Sequence, residues 1–123
     1  MANELPENWK GTFFQDEEAT AILNMTSEEF TASVMENNSN DAKFFLAGAA
    51  FDFGWNGLEE KAKELIKAAS DKFDAPYEKI PGMIGFGKEQ VALGLGEDSV
   101  KSAIYSVIGE MFQDRMRLAG IRT

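Results

Sequence analysis

Neither cysteine nor histidine occurs anywhere in the 123 residues. Their joint absence removes disulfide staples, thiolate nucleophiles, imidazole bases and the side chains that hold most zinc, haem and Glu-x-x-His di-iron centres. No cofactor is expected. Positive charge is scarce: 12 Lys and Arg stand against 21 Asp and Glu, a formal net charge of −9. Such a chain does not neutralise a phosphate backbone or an anionic lipid surface, so it is expected to bind neither nucleic acid nor membrane directly. No apolar run approaches the length of a membrane span. The opening MANELPENWKG lacks the charged start and apolar run of a signal peptide. The Asn24-Met25-Thr26 and Asn37-Asn38-Ser39 sequons therefore read as chance matches, and a cytoplasmic protein is the expectation.

What the chain does have is a long apolar centre. Phe44, Phe51, Trp55, Leu58, Ala62, Leu65, Ala69 and Phe73 fall three, four or seven residues apart, the spacing of one helical face. Gly54 and Gly57 interrupt the stretch, each costing about 1 kcal/mol against Ala in a helix interior. The spacing predicts a helix over 41–53 ending at Gly54 and a second over 57–74, with Asn56 as its N-cap and Glu59 at N3. A kinked rod and a hairpin both satisfy this pattern. Glu59 and Lys63 form a favourable i,i+4 pair on the outer face.

Upstream, residues 1–15 read as an extended arm, with Trp9, Phe13 and Phe14 able to pin it to the core or to a partner. Asp16 caps a short helix to about Asn24, presenting Ile22 and Leu23 inward. Thr26-Ser27-Glu28-Glu29 is a capping box that starts a helix to about Glu36 with Phe30 and Val34 on its face. Downstream, Pro76 stops the central stretch. Two prolines and five glycines make 75–97 an irregular segment, with a turn or two of helix over Lys88–Leu93. The last helix starts at Asp98 or Ser99 and carries Val100, Ile104, Val107, Ile108, Met111 and Leu118 inward. Gly120 ends it, and Arg115 and Arg117 complement its dipole.

Four features carry candidate chemistry. Gly82-Met83-Ile84-Gly85-Phe86-Gly87-Lys88 satisfies G-x-x-x-x-G-K, the string of a phosphate-cradling loop. Glu89 replaces the magnesium-binding hydroxyl, and no apolar strand precedes the string, so a plain glycine connection before the last helix is the preferred reading. The acidic sets Asp16/Glu17/Glu18, Glu28/Glu29, Glu59/Glu60 and Glu97/Asp98 all fall at expected helix starts, where free amides favour carboxylates. Capping explains them better than a cation site, and none has EF-hand spacing. Phe45 and Phe53 are apolar but lie off the main stripe. A helix apolar around most of its circumference is either central to its own core or buried in an oligomer, and both readings stand.

The fourth feature is Trp55-Asn56-Gly57, between the two expected helices. It resembles the Trp-x-Gly turn of the small secreted helical proteins of the WXG100 family, which would imply a secreted helical hairpin. The resemblance covers the tripeptide and the helix–turn–helix idea. The family's C-terminal Tyr-x-x-x-Asp/Glu signal is not met, because Tyr105 is followed by Glu110, one residue too late.

These readings combine into an all-α domain over 16–123 behind the 1–15 arm, with four or five helices. The function they suit is non-catalytic. It is an acidic helical protein–protein interaction module, an inhibitor or adaptor of the kind encoded by phages and mobile elements, acting on a basic or nucleic-acid-binding partner. The surface expected to meet that partner, or a second copy, contains Phe45, Phe53, Trp55, Glu59 and Glu60. The competing class is a nucleotide- or phosphate-binding protein using Gly82–Lys88.

Overall fold

A computed structural model describes residues 4–37 and 39–112. Six α-helices account for most of them: α1 Asp16–Leu23, α2 Ser27–Asn37, α3 Ala42–Trp55, α4 Glu59–Lys72, α5 Ile80–Ala92 and α6 Glu97–Phe112. Short 3₁₀ turns at Ser39–Asp41 and Tyr77–Lys79 lead into α3 and α5. The described residues contain no strand, so the all-α expectation holds, with more helices than the four or five expected.

The architecture is set by α3. Its apolar residues run around the whole circumference, and 11 of its 14 residues are buried, among them Phe44, Phe51, Phe53 and Trp55. A helix of that kind must be covered on every side. Here α2, α4, α5 and α6 all pack on it. The arm closes the remaining side: Trp9 lies 5.1 Å from Phe53, and Phe13 lies 5.4 Å from Phe44 and 5.8 Å from Phe51. The arm is therefore pinned to the core. The circumference of α3 is accounted for within one chain, and Phe53 is wholly buried.

Helix starts follow the expected physics. The Thr26 capping box is present in both directions: Glu29 N–H donates to Thr26 Oγ1 at 3.0 Å, and Thr26 N–H donates to Glu29 Oε1 at 2.9 Å. At α1 the reciprocal carboxylate is Glu18, which accepts from the Gln15 N–H at 3.0 Å, so Asp16 is the first helical residue and not the cap. The four acidic sets occupy the first turns of α1, α2, α4 and α6. On the surface of α4, Lys63 pairs with Glu60 at 3.8 Å in place of Glu59.

Three expectations are corrected. First, the central joint, a tight hairpin, falls two residues later than its glycines suggested, between Trp55 and Glu59. Gly54 stays inside α3, and Gly57 takes the left-handed conformation, φ +86°. Asn56 does not cap α4, whose cap position is Leu58; its side chain instead donates to Asp52 O at 2.8 Å and Lys10 O at 3.0 Å. Second, 75–97 is not irregular. Helix α5 runs through Gly82, Gly85 and Gly87, with Pro81 in the first turn, where its missing N–H costs nothing. Packing overrides propensity here. At Gly87 an added Cβ would sit 2.7 Å from Ile104 Cδ1 and 2.8 Å from Trp55 Cζ3, so glycine is what lets α5 lie against α3 and α6. The connection before the last helix shrinks to Leu93–Gly96, with Gly94 at φ +103°. Third, α6 begins at Glu97, ahead of Asp98. The expected continuation of α6 to 119, with Arg115, Arg117, Leu118 and Gly120, lies outside the described residues.

Candidate interaction surface

Helices α5 and α6 and the Leu93–Gly96 connection between them carry most of the exposed large apolar side chains among the described residues. Phe86 is 61% exposed, Leu93 78%, Leu95 55% and Val107 48%. Phe86, Leu95 and Val107 line a furrow between the two helices. One cavity of about 400 Å³ is lined by Gly82, Met83, Phe86, Ala103, Ile104 and Val107. A second, of about 280 Å³, shares Phe86, Ala103 and Ile104 and reaches Leu95 and Ser99. The shared walls make this one continuous apolar groove running along both helices. The buried Ile104 lies at its base, and Gly82 and Ala103 add little bulk to its walls. Helical spacing places Glu89 on the face of Phe86 and Leu93, and Glu110 on the face of Ala103 and Val107. Both carboxylates are exposed, so the groove has acidic edges.

The residues singled out from sequence are placed elsewhere. Phe53 is interior, against Trp9. Phe45 is half-buried, its ring 6.2 Å from Phe14 and 6.0 Å from Phe44. Trp55 is 3% exposed and donates its indole N–H to Glu97 Oε2 at 3.2 Å. Glu59 and Glu60 are exposed on α4, Glu59 beside a separate cavity of about 240 Å³ against Ala50, Gly54 and Ile84. The fold does not gather these five into one surface. Among the described residues the acidic side chains nowhere come together in threes that would suit a cation. The Gly82–Lys88 string is helical, so its amides are committed to α5 and do not form a phosphate-cradling loop.

Two buried charges, which the sequence reading passed over, hold the arm. Asp52, 1% exposed, accepts the Thr12 N–H on Oδ1 at 2.9 Å and the Phe13 and Phe14 N–H groups on Oδ2 at 2.9 and 3.0 Å. Burial pushes its carboxyl up to about 6 despite those three amides and the nearby Lys101. Lys101, 6% exposed, donates to Lys10 O at 3.1 Å. Opposite charges from α3 and α6 thus grip successive stretches of the same arm. The available signal was Asp52 itself, the one charge in FFLAGAAFDFGW, since a buried charge must find partners.

No family model matches the chain, and neither a curated protein nor a solved structure is significantly similar to it. The Trp55-Asn56-Gly57 turn does join two antiparallel helices, and that local feature is the extent of its likeness to the secreted Trp-x-Gly proteins.

Proposed function

We propose that the protein is a non-catalytic acidic interaction module that receives an amphipathic basic helix of a protein partner in the α5–α6 groove. The observation that carries this reading is the groove itself, apolar along its length and lined by the exposed Phe86, Leu95 and Val107. Grooves between helices recognise a helix through apolar anchors at i, i+3, i+4 and i+7. Charge selects the partner. The edges carry Glu89 and Glu110 and the chain as a whole −9, so lysines and arginines flanking the apolar stripe are favoured and an acidic helix is repelled. An inhibitor or adaptor acting on a basic, nucleic-acid-binding protein fits that selection.

The test is a pair of fluorescent helical peptides with the same leucine stripe, one with lysines and one with glutamates on the remaining positions. The basic peptide should bind saturably, more weakly as salt rises. Phe86→Asp and Val107→Asp should each weaken it at least tenfold while melting as wild type does. Equal binding of both peptides, or binding indifferent to Phe86→Asp, refutes the reading. A wild-type dimer in sedimentation that Phe86→Asp dissociates would assign the groove to a second copy instead.

A further inference from the structure

Lys88 lies two residues beyond Phe86, and so on the opposite side of α5 from the groove. There its ammonium stands 4.5 Å from the Trp55 ring centroid. Two more lysines stand near this site, one at the same indole and one at the carboxylate that the indole bonds. Lys101 Nζ is 5.8 Å from the ring centroid, and Lys10 Nζ is 3.4 Å from Glu97 Oε1, whose other oxygen takes the Trp55 N–H. A cavity of about 250 Å³ opens at this cluster, with Asn8, Lys10, Trp55, Lys88 and Glu97 on its wall. In a chain of net charge −9, its wall carries two cations and one anion, with Lys101 behind.

The carboxylate does not close the site. Both Glu97 oxygens are engaged, and the Trp55 N–H and Lys10 hold its carboxyl below the usual range, so it stays ionised and paired. Lys88 has no carboxylate within ion-pair distance among the described residues. Among the described residues its nearest compensating partner is the face of an aromatic ring. An added anion would therefore gain an ammonium that pairs with no carboxylate among the described residues, Glu97 being engaged by Trp55 and Lys10. Asn8, exposed on the same wall, adds an amide donor. A nucleobase is disfavoured, because Trp55 is 3% exposed and offers no free face for stacking.

We propose that this cavity binds a small phosphate-bearing anion between Lys88 and Lys10. The basis is charge and cavity, not a glycine loop, and it is independent of the α5–α6 groove.

The experiment follows the two indole N–H signals, of Trp9 and Trp55, in assigned ¹H–¹⁵N spectra of the full chain at pH 8. Inorganic phosphate and glycerol phosphate are titrated separately against chloride of matched ionic strength. Phosphate should shift the Trp55 signal saturably and leave Trp9 still. Lys88→Gln and Lys10→Gln should each weaken the apparent affinity at least fivefold without changing the melting temperature. A response to glycerol phosphate alone would assign the site to phosphate monoesters, and a response to both to the phosphate group itself. A shift that does not saturate, that chloride reproduces, or that survives Lys88→Gln overturns the proposal. Because the peptide test reads Phe86 and Val107, either idea can fail without the other.

Discussion

Asp52→Asn isolates the carboxylate that holds the arm. The side chain keeps its size, but one oxygen acceptor becomes an NH₂ facing an N–H. At least one of the amides of Thr12, Phe13 and Phe14 then loses its partner in a part-buried place. An orphaned buried donor costs about 1–3 kcal/mol. Against this, the substitution removes a charge that burial disfavours. The balance depends on pH, with a definite sign. The folded carboxyl titrates at about 6, above its ordinary 3.8, so between those values the folded state keeps a proton that the unfolded chain has lost. This stabilisation is fully present below about pH 4 and is lost as pH rises through 6. The shift corresponds to about 3 kcal/mol over the whole window, of which about 2 fall between pH 4.5 and 7.5. Urea unfolding of wild type and Asp52→Asn at those two pH values gives the test, since titrations common to both proteins cancel in the difference. The variant should be worse relative to wild type at pH 4.5 than at pH 7.5, by about 2 kcal/mol. A difference that stays constant within about 0.5 kcal/mol would mean that three amides and Lys101 match or exceed the effect of burial, and that the carboxyl is not raised.

Other consequences can be checked alongside. Gly87→Ala should destabilise by about 1–3 kcal/mol although alanine is the better helix former, because its methyl meets Ile104 and Trp55. Gly85→Ala, which meets nothing within 4 Å, should stabilise by up to about 1 kcal/mol, and chemical melts of both decide whether packing or propensity rules α5. Thr26→Ala should cost about 1 kcal/mol in the same assay through loss of the capping box. Phe53→Ser should cost about 3–5 kcal/mol, and half-buried Phe45→Ser clearly less; equal losses would put Phe45 in the core as deeply as Phe53.

Much of the fold was written locally and could be read. The Thr26 box, the acidic first turns and the period of α4 depend on residues within a few positions of one another, so sequence spacing determines them. The glycines misled because one residue type serves two opposite purposes. Gly57 is a glycine for its backbone, at φ +86° with open space around it. Gly48, Gly54 and Gly87 are glycines for their missing side chains: a Cβ at Gly48 would lie 2.5 Å from Phe13 Cδ1, and one at Gly54 2.5 Å from Ile84 Cδ1. Composition cannot separate a turn from a close approach, since the neighbour that demands the approach is up to 35 residues away. That ambiguity turned α5 into a loop on paper.

The binding surfaces were hidden for the same reason, and the error has a direction. Aromatic density along the chain drew attention to α3, yet density of that kind is what a helix covered on all sides requires, so it marks burial rather than contact. Once α3 takes the interior, the arm, α2, α4, α5 and α6 supply the covering layers, and what remains unpaired falls on the layers. Phe86 and Val107 carry no unusual local pattern; each becomes an exposed apolar residue only because α5 and α6 meet along Gly87 and Ile104, turning the rest of their apolar faces outward. Lys88 shows the converse. Sequence singled it out as the last letter of a loop motif, and the helix that abolishes the loop also carries that lysine over Trp55, where it joins Lys10 and Glu97 from segments 78 and 9 positions away. Its chemistry as a cation is intact while its supposed scaffold is gone, so Lys88→Gln tests the side chain on the ground where the structure puts it.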